Sequence, residues 1–305
     1  MSVIRLDDVT KRFGSVTALQ DLDLTVHDGE IYGFLGPNGS GKSTTINLLL
    51  DFIRPTGGQV TLFDMDAHAE SQRIRERVGV LPDGFDVYDR LTGVQHLELT
   101  IESKRADDEP MEILERVGIA DAADRRAGNY SKGMTQRLVL GMALVGQPDL
   151  IVLDEPSTGL DPNGAREMRE IILEENRRGA TVFFSSHILD QVEAVCDRVS
   201  ILSNGSLVAE DSIRNLRRKM SATTELTLVV SEVTPEVLAA IRSCEGIEKV
   251  TNEDTRITVA IADGSKAEVI DAVESTGVNL QDFSIREASL EDLFAAYTEG
   301  EAMTA

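Results

Sequence analysis

The sequence predicts an α/β fold followed by a smaller α+β domain, on three observations. Apolar runs stand at 31–35, 150–153 and 181–185, and the last two are too continuous for a one-sided sheet and fit strands buried on both faces of a parallel sheet. The first run stops at a glycine-rich loop that opens a helical pattern, giving the strand–loop–helix order of α/β units. Beyond about residue 220, short strand and helix patterns follow in β-α-β-β-α-β order, which predicts a ferredoxin-like domain.

Along the chain, residues 3–9 and 22–26 alternate like half-buried strands. From Ser43, the residues Thr44, Ile46, Leu48, Leu49 and Phe52 give a helical pattern that ends before Pro55, and Thr56-Gly57-Gly58 marks a turn before a short strand at 59–63. Between about 84 and 147 the pattern is mainly helical, with helices at 92–102, 112–117 and 132–145, and it reads as an insertion in the α/β core, which resumes after Pro148. Residues 213–220 hold Arg214, Arg217, Arg218 and Lys219, a basic cluster read as a junction helix. Strands are expected at 225–230, 247–251, 256–261 and about 280–286, helices near 234–242 and 265–275, and a last helix at about 289–299. The domains are therefore expected at 1–218 and 219–305.

Composition excludes several classes of function. A formal net charge of -23 over 305 residues argues against nucleic acid as a partner, because phosphate backbones demand clustered Lys and Arg. The excess carboxylates read as a solvated coat. Cys196 and Cys244 have no CxxC or His-containing spacing, which argues against a zinc site or a disulfide scaffold and fits a reducing cytosol. No apolar run approaches the roughly 18 to 20 residues needed to cross a bilayer. The start MSVIRLDDVTKRFG is charged almost at once and lacks an apolar h-region, so no secretory signal is expected and the chain is placed in the cytoplasm. His27, His68 and His96 show no ligand spacing.

Two motifs carry chemistry. Gly36-Pro37-Asn38-Gly39-Ser40-Gly41-Lys42-Ser43 fits G-x-x-x-x-G-K-[ST] and stands after an apolar strand at the start of a helix, with Thr44 next in its first turn. Glycines there let backbone N–H groups curl around phosphate oxygens and the helix N-terminus adds positive potential. Lys42 reaches the β- and γ-phosphates, and the Ser43 hydroxyl ligates Mg²⁺. In Leu150-Ile151-Val152-Leu153-Asp154-Glu155, an apolar strand delivers two carboxylates at its C-terminal end, where α/β sheets bind ligands. Asp154 is expected to hold Mg²⁺ through water, and Glu155 to polarise the water that attacks the γ-phosphate.

With these motifs, residues 1 to about 215 resemble a nucleotide-binding subunit of an ABC transporter. The resemblance implies a RecA-like core with an antiparallel β subdomain and a helical subdomain at about 84–147. It further implies that Phe13 stacks on adenine. Tyr130-Ser131-Lys132-Gly133-Met134 resembles the LSGGQ signature; it departs at three of five positions but keeps Ser131 and Gly133, the groups that meet the γ-phosphate. In the family this segment acts on the ATP of the other protomer, so a homodimer, or a pseudo-dimer with a paralogous ATPase, is implied. Ser157-Thr158-Gly159-Leu160-Asp161 matches the loop through which protomers communicate, and His187 matches the histidine that contacts the γ-phosphate. Asp83 stands where the family usually has a Mg²⁺-touching Gln. Its carboxylate is expected to bind Mg²⁺ in that role, directly or through water, but it is shorter, adds negative charge beside the phosphates and Glu155, and marks a subtype.

What the resemblance implies is an ATP-hydrolysing subunit, peripheral on the inner face of the cell membrane, that powers a separate integral membrane permease, with export as the direction. The alternative is a soluble ABC-type ATPase acting as a mechanical switch without a membrane; its usual coiled coil, second cassette or basic surface does not appear. A P-loop kinase or GTPase is disfavoured because no N-K-x-D motif occurs. The last 85 or so residues resemble the C-terminal extension of export-type ATPase subunits, though more weakly than the first 215 resemble the cassette.

Overall fold

The computed structural model describes residues 1–220, 224–261 and 265–287; the last helix expected at 289–299 lies outside them. The chain divides into two compact units, Met1–Ile213 and Arg214–Ala305.

In the first unit, β1 (Ser2–Phe13), β2 (Val16–His27), β4 (Gly57–Leu62) and β5 (Met65–Asp66) form an antiparallel sheet in the order β2-β1-β4-β5. Strands β1 and β2 run well beyond the alternating stretches at 3–9 and 22–26. Register shifts between them, with Asp8 and Asp21 at φ of 50° and 44°, break the alternation without ending the ladder. The second sheet holds β3 (Ile31–Leu35), β6 (Val78–Leu81), β7 (Leu150–Asp154), β8 (Thr181–Ser186), β9 (Arg198–Ser203) and β10 (Ser206–Ser212), in the order β10-β9-β3-β8-β7-β6. All its pairings are parallel except β10 with β9. Every residue of β3, β7 and β8 is buried, as their unbroken apolar runs require.

The helices are α1 (Lys42–Leu49), α2 (Ser71–Glu76), α3 (Gly93–Lys104), α4 (Pro110–Arg116), α5 (Lys132–Leu144), α6 (Pro162–Arg177) and α7 (Leu189–Glu193). Their starts follow capping chemistry. Thr92 and Gln95 close a capping box on α3, and Asp161 accepts from Gly164 N at 2.7 Å with Pro162 in the first turn of α6. Helices α3, α4 and α5 are the predicted helical insertion. Cys196 lies just beyond α7 and is buried against Gly33, where an added Cβ would meet Val192 Cγ1 at 2.4 Å and Cys196 Sγ at 3.1 Å.

Helix α8 (Ile213–Met220) spans the predicted junction. In the second unit β11 (Thr224–Val230), β12 (Ile247–Glu253), β13 (Arg256–Ile261) and β14 (Leu280–Glu287) form an antiparallel sheet in the order β12-β13-β11-β14. Helices α9 (Pro235–Ser243) and α10 (Lys266–Ser275) cover one face, where Val237, Ile241, Val269 and Val273 meet Leu226, Leu228, Ile257 and Val259. This is the ferredoxin-like arrangement expected from the element order.

Candidate nucleotide and metal site

Strands β3, β8 and β7 are parallel neighbours, so the loops that leave them emerge together at one edge of the sheet. The 36–43 loop leaves β3, Asp154 ends β7 with Glu155 next, and His187 comes directly after β8. A cavity of about 170 Å³ opens there, lined by Ala18, Asn38, Gly39, Gly41, Lys42, Ser43, Thr44, Asp83, Asp154 and Glu155.

The glycine-rich loop is held to its shape by its surroundings. Gly41 sits at φ 114°, where an added Cβ would meet Leu19 Cδ2 at 2.7 Å and Ala18 O at 2.9 Å, and Gly36 is equally tight against Ser40 and Leu202 O. Gly41 is also the N-cap of α1 and supplies no side-chain hydrogen bond. The first-turn amides of α1 therefore carry no cap, which makes this helix end an anion site.

Lys42 is buried, and its Nζ donates to Gly36 O at 2.7 Å and Pro37 O at 3.4 Å and lies 3.8 Å from Glu155 Oε1. Burial pulls its pKa down, opposed by the charges of Glu155, Asp154 and Asp83. Glu155 takes the left-handed backbone at φ 49°, an uncommon conformation for a residue with a Cβ and one that concentrates at functional sites. Its Oε1 accepts from His187 Nδ1 at 2.8 Å, and Ser186 Oγ lies 3.4 Å from Oε2. A carboxylate only accepts, so Nδ1 carries the imidazole proton and fixes the ring's orientation.

Asp154 accepts from Ser185 Oγ through Oδ1 and from Ser43 Oγ at 3.4 Å through Oδ2. Burial raises its carboxyl above the ordinary range; the Ser185 hydrogen bond opposes this, and the charges of Asp83 and Glu155 add to it. A carboxyl so raised binds its proton more tightly folded than unfolded. Its contribution to stability therefore falls as pH rises through the interval between the two values, and stays lost above it. Asp154→Asn is accordingly expected to raise the melting temperature of the nucleotide-free protein in chelator at neutral pH. The gain shrinks as pH falls toward about 4, the unfolded carboxyl value. Melts across that pH range check it, and equal melting temperatures at pH 7 would contradict it.

The donor set fits Mg²⁺. The Ser43 hydroxyl and the Asp154 carboxylate are hard oxygen donors 3.4 Å apart and Asp83 lines the same cavity, so Ser43 would ligate the cation and Asp154 would hold it through water. The remaining positions suit water and phosphate oxygens, as this cation prefers.

The other predicted residues lie elsewhere. Phe13 is 49% exposed at the end of β1, with Lys11 Nζ 4.9 Å above its ring, and does not line the cavity. Ser131 is the N-cap of α5, accepting from Met134 N at 3.2 Å; neither it nor Gly133 lines the cavity. Gly133 instead packs by Leu160 of the 157–161 loop, and the Lys132 side chain lies across Gly159. Sequence reasoning missed four braces. Ser185 and Ser186 directly precede His187 and carry no signal of their own. Gln191, near Ser157 and Ser186, joins the loops after β7 and β8, and Gln136 Nε2 donates to Pro156 O at 2.9 Å, tying α5 to the loop after Glu155.

A glycine cradle, a buried lysine and paired carboxylates at the ends of parallel strands define a P-loop nucleotide hydrolase. Residues 19–158 match the family model described as ABC transporter, and residues 212–298 match the ATP-binding protein DrrA1-3-like, C-terminal domain. The chain is 33% identical to the bacitracin transport ATP-binding protein BcrA of Bacillus licheniformis, over 98% of both chains. It is 31% identical to the daunorubicin resistance ATP-binding protein DrrA2 of Streptomyces coeruleorubidus, over 97% of this chain and 94% of that one. A solved dimeric structure of a post-hydrolysis state of the ATP-binding cassette MJ0796, bound to ADP and Pi, is similar with a TM-score of 0.64 and 26% identity, covering 69% of this chain and 99% of that one. The chain belongs to the ATP-binding subunits of ABC transporters, and it is an ATPase.

Proposed function

We propose that this chain works as the motor of an exporter, two copies closing around two MgATP and driving a separate integral membrane permease from the inner face of the membrane. One observation carries the reading. Lys42, Ser43, Asp154 and Glu155 line one cavity whereas Ser131 and Gly133 do not, so the α5 tip meets a γ-phosphate only when a second copy presents it. The dimeric cassette bound to ADP and Pi supports this pairing. Relatives named for bacitracin transport and daunorubicin resistance, matched over nearly their full length, support a transport role in the outward direction over a membrane-free switch. Among the described residues no helix is long and apolar enough to cross a membrane, so the path for cargo belongs to the partner.

In this mechanism the amides of 39–44 and Lys42 bind the phosphates, and Phe13 stacks on the base. Ser43, Asp154 and Asp83 would hold Mg²⁺, which would supply neutralising charge to the phosphates when bound. Glu155, oriented by His187, accepts the proton of the attacking water. Ser131 and Gly133 of the second copy close the site, and their differential contact with triphosphate over diphosphate shifts the population from open to closed.

Ser131→Arg tests the arrangement. A bulky cation at the α5 tip is expected to abolish the ATP-dependent dimer while one protomer still binds nucleotide. Size-exclusion chromatography with Mg²⁺ and a non-hydrolysable ATP analogue, run beside the parent, reads the first, a fluorescent nucleotide the second. Persistence of the dimer would rule out the trans contact.

A further inference from the structure

The sheet of the second unit has two edge strands, β12 and β14. Among the described residues β14 is hydrogen-bonded to β11 alone, and residues 281–286 are all exposed. Its register sets Phe283 opposite Leu228 and Ile285 opposite Leu226, both leucines fully buried beneath α9 and α10. Cross-strand partners share a face, so Phe283 and Ile285 carry the apolar face past the cover of the helices. They remain 50% and 44% exposed. Natural edge strands are usually blunted by proline, a bulge or an inward charge; β14 has a register irregularity between Leu280 and Asp282, but from Asp282 to Arg286 its apolar side has none of these.

The same segment complements itself. In an antiparallel pairing about a twofold axis through Ser284, Phe283 falls opposite Ile285 of the second copy and Asp282 opposite its Arg286, and each pair occurs twice. Moving the axis by one residue, to Phe283, sets Phe283 against itself but Gln281 against Ile285 and Arg286 against Leu280, losing the charge match and leaving Ile285 without an apolar partner. Within its own sheet Arg286 lies opposite Glu225, so the pairing would flank this cation with a carboxylate on each side. We propose that β14 is a homotypic interface, at which a second copy of this chain adds its own β14 and continues the sheet, independently of nucleotide. Opposite charge and apolar complementarity in a single register select a second copy as the occupant.

The test uses the full chain without nucleotide, in the Ser131→Arg background, so that its outcome is separate from that of ATP-driven pairing. With Cys244→Ser leaving only the buried Cys196, Ser284→Cys places a thiol on the axis, and mild oxidation is expected to give a covalent dimer. Glu253→Cys, exposed at the end of β12 on the opposite edge, is expected to remain monomeric under the same treatment. In sedimentation, Asp282→Arg and Arg286→Asp each set like charges face to face and are expected to lose the dimer, while the double variant restores it. Cross-linking of Ser284→Cys no faster than that of Glu253→Cys, or a double swap that stays monomeric, would overturn the proposal and assign the edge to residues 288–305 or to a different partner.

Discussion

Glu155→Gln is expected to bind ATP as the parent does and to turn it over about 10² to 10⁴ times more slowly, the contribution typical of a positioned general base. The amide keeps the shape of the side chain, and its carbonyl still accepts from His187 Nδ1, so the bracing that places this residue survives the change. What it loses is the capacity to take a proton from water. The substitution also removes the negative charge 3.8 Å from Lys42, which leaves the ammonium wholly available to the phosphates and should not weaken binding. With binding intact and chemistry stopped, the ATP-bound dimer accumulates. Phosphate release at steady state measures the first effect, and chromatography in ATP and Mg²⁺ the second. Hydrolysis at the parent rate would place the base elsewhere.

Legibility in the sequence followed the strength of local constraint. Strands β3, β7 and β8 could be read because each is buried on both faces, and burial leaves an unbroken apolar run. Strands β1 and β2 were read only in part, since bulges at Asp8 and Asp21 throw the alternation out of step. Helix α6 was passed over although Asp161-Pro162 is a cap followed by a proline in the first turn, a local start signal. At the site, Lys42, Ser43, Asp154 and Glu155 could be read together because phosphate chemistry fixes their spacing within two short motifs. Ser185, Gln191 and Gln136 carry no such signature. They act through geometry that exists only once β8, α7 and α5 have packed, and an isolated Ser or Gln in a sequence gives no hint of it.

Lys42→Ala is expected to lower turnover by about 10² to 10³, the cost typical of removing one preorganised donor to a developing oxyanion, and to weaken ATP binding as well. Its Nζ is held in the cavity by Gly36 O and Pro37 O, both carbonyls of the loop that would cradle the phosphates. The same position keeps the only cationic side chain among the cavity's lining residues against Asp83, Asp154 and Glu155. Without it, three carboxylates face an incoming polyanion with only backbone amides and the metal to offset them. The loss should therefore appear in affinity and rate together, unlike Glu155→Gln, where affinity stays. Because both side chains serve one transition state, Lys42→Ala/Glu155→Gln should be scarcely slower than the worse single variant. Nucleotide titration beside single-turnover hydrolysis separates these cases, and multiplicative losses in the double variant would show that the two residues act independently.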